Sequence, residues 1–94
     1  MNPAPFLTSA EKHLPGSLDL LRQLVAINSF TANAAGVNAV AKLTAEAFAP
    51  LGFKAELVPC ATPGTGHHLF LSRSGEGDPV ILVTHSDTVF PPEE

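Results

Sequence analysis

Two residue types with useful chemistry stand two positions apart, His85 and Asp87, at the end of the apolar run Val80-Ile81-Leu82-Val83-Thr84. A neutral imidazole is the commonest protein ligand for zinc. A carboxylate close by can take a hydrogen bond from the second ring nitrogen, which fixes the tautomer and raises the basicity of the first. In an extended chain Ser86, between them, points to the opposite side. On spacing alone the pair also fits a strand-end His followed by an Asp that caps a turn.

The elements that must hold this pair can be read from periodicity. Residues 1–7 are Pro-rich and read as a loose arm. Thr8-Ser9-Ala10-Glu11 has capping-box spacing and can start a short helix. Pro15-Gly16 is expected to interrupt it, with Ser17 capping the next segment. Leu18, Leu21, Leu24, Val25 and Ile27 then follow helical spacing. Asn28 to Asn33 breaks the pattern with short polar side chains. Val37, Val40, Ala41, Thr44, Ala47, Phe48 and Leu51 form the stripe of a second helix, which Gly52 should stop.

Phe53 to Val58 alternates and predicts a half-exposed strand ended by Pro59. Cys60 to Gly66 is a loop, and His67 to Ser72 a second strand. Ser74 to Asp78 is a turn. Val80 to Thr84 predicts a third strand, whose unbroken apolar run suggests burial on both faces. The expected class is α/β: two main helices, then three strands of a helix-flanked mixed sheet. A His at the C-terminal end of a buried strand stands where such sheets place ligands.

Val80 to Phe90 resembles the first metal motif of the zinc-dependent exopeptidase and deacylase family. That family includes glutamate carboxypeptidase, succinyl-diaminopimelate desuccinylase, acetylornithine deacetylase and aminoacylase. Its members show an apolar strand followed by Gly-His-x-Asp-Thr-Val, matched here by His85-Ser86-Asp87-Thr88-Val89, with Phe90-Pro91 looking most like the glutamate carboxypeptidase branch. Leu20 to Ser29 looks like the family's opening helix, and the helix from Gly36 to Leu51 followed by Gly52-Phe53 also fits. The resemblance covers most of residues 17–92.

The resemblance implies that His85 ligates one of two zinc ions, for which cobalt could substitute, and that Asp87 is the catalytic-site carboxylate orienting it. Thr88 and Val89 would shape the loop. It implies hydrolysis of an amide bond in a peptide or N-acyl amino acid, and a homodimer for the complete enzyme. Thr84 departs from the family's Gly, and would be strained if the backbone there needed positive φ. The family's bridging Asp, Glu-Glu pair, further carboxylate and late His all follow this motif, and none occurs by Glu94. Glu93-Glu94 stand too close to His85 to be that pair. A catalytic zinc needs about three protein ligands. Residues 1–16 are expected to be an arm that can carry a short helix, and residues 17–94 an incomplete N-terminal portion of a metallopeptidase catalytic domain, inactive alone. The alternative is a non-catalytic module that keeps part of the fold and binds a partner.

The other reactive side chains read as ordinary. His67 and His68 are adjacent, so on a strand they face opposite ways and cannot share a metal. His13 lies near a helix end. Cys60 has no basic neighbour to activate it and cannot form an intramolecular disulfide alone. Ser29 reads as a turn or cap residue. Five Lys+Arg against nine Asp+Glu give a net charge of -4 without a basic run, which argues against nucleic-acid and anionic-membrane partners. The N-terminus lacks the pattern of a signal peptide, so the expected compartment is cytoplasmic.

Overall fold

The structure is a computed structural model and describes residues 1–93. Its elements are helix α1 (Ala4–Val25), helix α2 (Ala34–Phe48), a 3-10 turn (Ala49–Leu51), strand β1 (Lys54–Val58) and strand β2 (His68–Ser72). The chain is thus a mixed helix and strand arrangement, α/β in the broad sense, with a two-stranded antiparallel sheet. No helix among the described residues is long and apolar enough to cross a membrane.

Helix α1 differs from the expected break. It starts at Ala4, whose amide is capped by the Asn2 side chain at 3.0 Å, and runs unbroken through Pro15-Gly16. Proline removes one backbone donor and crowds the carbonyl four residues back, but neighbouring turns can carry the helix past it. None of its residues is buried, so local propensity rather than packing sustains it. Phe6, Leu7, Leu14, Leu18, Leu21 and Val25 remain exposed.

Helix α2 supplies the core. Val37, Val40 and Ala41 are buried, as the stripe predicts, and Thr44 is half-buried with its hydroxyl donating to the Val40 carbonyl at 2.8 Å. Pro50 lies in the tighter 3-10 turn that follows. Gly52 then closes the segment with φ 87°, a left-handed conformation that suits glycine. The Phe48 and Phe53 rings meet edge to face across this corner, 5.2 Å apart.

Strands β1 and β2 pair with Ala55 opposite Leu71 and Leu57 opposite Leu69. Leu69 and Leu71 are half-buried while His68, Phe70 and Ser72 are exposed, the period-two alternation of a one-sided sheet. Helix α2 packs against β2. Gly66, just before β2, lies so close to Val37 that a side chain there would collide with it.

The third strand expected over Val80 to Thr84 is not formed. Val80, Ile81, Leu82 and Val83 are 82–89% exposed and pair with no other segment. A strand exists only through its ladder, and apolar character creates a demand for burial without supplying a neighbour. Backbone pairing after this run is the isolated parallel bridge between Thr88 and Phe30.

Candidate functional site

The bridge between Phe30 and Thr88 places the His85-Asp87 pair beside the turn that joins α1 to α2. Asn28 anchors this turn. Its Oδ1 accepts from the Phe30 amide at 3.2 Å and from Asn33 Nδ2 at 3.0 Å, and its own Nδ2 donates to the Phe90 carbonyl at 3.0 Å. Asn33 caps α2 by accepting from the Gly36 amide at 3.1 Å, and its Nδ2 also reaches the Asn28 carbonyl at 3.0 Å. The short polar run that breaks helical periodicity is thus a hydrogen-bonded knot.

Residues 87–90 are laid along this knot. The Thr88 amide donates to the Ser29 carbonyl at 2.8 Å, and the Thr31 amide donates to the Thr88 carbonyl at 3.1 Å. Ser29 is buried and lies between the end of α1 and the Phe30 bridge, in neither a turn nor a helix cap. The Thr31 hydroxyl donates to Asp87 Oδ2 at 2.6 Å. It lies 3.3 Å from the Thr88 carbonyl as well, but a hydroxyl has one proton, and the shorter contact is to the charged acceptor.

His85 and Asp87 stand together as their spacing suggests. His85 Nδ1 lies 3.0 Å from the Asp87 carbonyl and 3.3 Å from Asp87 Oδ1. A carbonyl and an ionised carboxylate only accept, so Nδ1 carries the proton and a neutral ring keeps its lone pair on Nε2. The His85 side chain is 83% exposed, and Nε2 has no protein partner among the described residues. The Asp87 carboxyl is held below its usual range first by the Thr31 hydroxyl, with its own amide and His85 adding to the effect and partial burial opposing it. Thr84 sits without strain, since no non-glycine residue among those described has positive φ.

The remaining candidates lie apart. The His67 amide donates to Asn38 Oδ1 at 2.7 Å and its ring Nδ1 is buried without a partner, while His68 is exposed on β2. His13 Nδ1 donates to the Ser9 carbonyl at 2.7 Å. The Cys60 thiol is lowered from its usual value, first by the Thr65 side chain and then by the Thr62 backbone. That effect comes from hydrogen bonds within the loop and involves no basic neighbour. No group of three or more metal-ligating side chains occurs among the described residues. Glu94 lies outside them.

Sequence reasoning missed Thr31 and Asn28 as members of the site. Both belong to a run that reads locally as a turn, and their partners are 56 and 62 residues away. No family model, curated protein or solved structure matches the chain.

Proposed function

We propose that this chain carries the first metal-ligand motif of a zinc-dependent amide hydrolase of the exopeptidase and deacylase type it resembles, acting on a peptide or N-acyl amino acid. The observation that carries the reading is the state of His85: its Nδ1 proton is committed to Asp87, and Nε2 is left as an exposed lone-pair donor. That is the arrangement of a zinc-ligating histidine with its carboxylate support.

The donor set fits one ligand of such a centre. His85 would hold the metal through Nε2, and Asp87 would keep the ring in the required tautomer. Zinc, when bound, lowers the pKa of a coordinated water and polarises the amide carbonyl. About three protein ligands are needed and His85 supplies one, so residues 1–93 alone should not turn over substrate. In this reading the helices and the β1–β2 sheet belong to the catalytic domain, and two zinc ions, or cobalt in their place, complete it.

Zinc titration of the chain with ¹⁵N-labelled histidine tests this. His85 Nε2 should respond at lower zinc concentration than the rings of His13 and His68. His13 is the stringent control, because its Nδ1 is also committed, to a carbonyl rather than to a residue bearing a carboxylate. Equal or later response of His85 would overturn the reading. The exposed Val80–Val83 run favours a second reading, a non-catalytic module that binds a partner, and that reading expects no zinc preference for His85.

A further inference from the structure

We infer that Thr31 is a positioning residue for this site: its hydroxyl fixes the Asp87 carboxylate so that His85 keeps its proton on Nδ1 and presents Nε2. The consequence for metal binding rests on the zinc reading above, whereas the positioning itself does not.

The carboxylate of an exposed Asp turns readily about its last torsion, which is broad and two-fold. Here one oxygen is held and the other thereby placed. Thr31 Oγ1 binds Oδ2 at 2.6 Å, and Oδ1 stands 3.3 Å from His85 Nδ1. Thr31 is itself fixed from two sides. Its amide is bonded to the Thr88 carbonyl, and the Ser29 carbonyl two residues before it receives the Thr88 amide. The hydroxyl therefore approaches Asp87 from a backbone already locked to the residue after Asp87. A β-branched side chain on that backbone has few rotamers to choose from, so little freedom is lost in making the bond.

The contact also crosses the fold. Thr31 belongs to the knot between α1 and α2, and Asp87 to the segment after the exposed apolar run. Without the hydroxyl, the backbone bridge at Phe30 and Thr88 would remain, and His85 Nδ1 would keep only the neutral Asp87 carbonyl as a fixed acceptor, which favours the Nδ1–H form less than carbonyl and carboxylate together. Only the carboxylate would be released. Thr31 thus acts through Asp87 on His85, and touches neither metal nor substrate.

The experiment uses the 94-residue chain with ¹⁵N-labelled histidine, at neutral pH and without metal. Long-range nitrogen–proton correlation reads which ring nitrogen of His85 carries the proton. The unmodified chain should show the Nδ1–H form. Thr31→Val, which keeps shape and β-branching, should move the His85 nitrogens toward a mixture with the Nε2–H form. Thr31→Ser should restore the original shifts. In a zinc titration, Thr31→Val should weaken the His85 response by up to about tenfold, the low end of what losing a hydrogen-bonded support costs a metal site. Unchanged His85 shifts in Thr31→Val would overturn the assignment, as would a Ser variant that behaves like Val. A tautomer change in Thr31→Val, with no zinc preference for His85 in any chain, would support the positioning role and sink the zinc reading instead.

Discussion

Gly36 lies so close to Asn28 that a Cβ on Gly36 would overlap the Asn28 carbonyl oxygen. This approach lets the first turn of α2 rest on the knot that carries the site, and it explains a glycine where helix propensity would choose alanine. Gly36→Ala should therefore destabilise the chain by roughly 1–3 kcal/mol, the usual cost of forcing a methyl into a packed contact. Urea denaturation followed by circular dichroism would check it. A more stable variant would show that the contact can relax and that propensity dominates.

Asn33 has two separable duties. Its oxygen caps α2, and its amide nitrogen donates to Asn28. Asn33→Ala should lose the cap, worth about 1 kcal/mol, together with the link to Asn28. Asn33→Asp should keep the cap, since a carboxylate suits a helix N-terminus, and lose only the link. The two variants should then differ in helicity but share a displaced Asn28, seen as loss of protection at the Phe30 amide.

How much of this was legible follows the range of each interaction. The first half of the α2 stripe, Val37, Val40 and Ala41, is a local pattern and is buried. Ala47, Phe48 and Leu51 are exposed, and Gly52 closes the 3-10 turn after α2 rather than the helix itself. The half-exposed alternation expected for Phe53 to Val58 is absent, since Ala55 and Leu57 are both exposed. The His85-Asp87 contact spans two residues and could be read from spacing. Pro15 does not break α1, because a helix already about three turns long can accommodate one missing donor. The Thr31–Asp87 bond left no mark in the sequence, because a single contact across 56 residues creates no period. Val80 to Val83 misled for a related reason. Its composition reports what the segment would gain by burial, and only tertiary contacts decide whether it is buried.

Acid should loosen the site before it unfolds the helices. The Asp87 carboxyl is depressed in the folded chain, chiefly by the Thr31 hydroxyl. Its contribution is therefore present above the ordinary carboxylate value of about 3.9 and is lost as pH falls through the lower folded value. Protonation replaces a charged acceptor by a neutral one and weakens the Thr31 bond. Amide shifts of Thr31 and Thr88 should titrate in this acid window, and Asp87→Asn should flatten them there. A Thr88 amide that titrates unchanged in Asp87→Asn would show that another group governs the bridge.

The exposed apolar run governs behaviour in solution. Four consecutive large apolar residues, each more than four-fifths exposed, follow in the chain a two-stranded sheet that no further strand among the described residues extends. Both features invite strand pairing between copies. Light scattering across a concentration series should therefore show self-association, and Ile81→Lys should reduce it, because a charge in the run opposes stacking. The same substitution should leave the thermal midpoint nearly unchanged, since Ile81 buries almost nothing within the chain. A large drop in midpoint would mean that Ile81 is packed in solution. A chain that stays monomeric at high concentration would mean that the run is shielded by its own residues, and either result would contradict the exposed conformation.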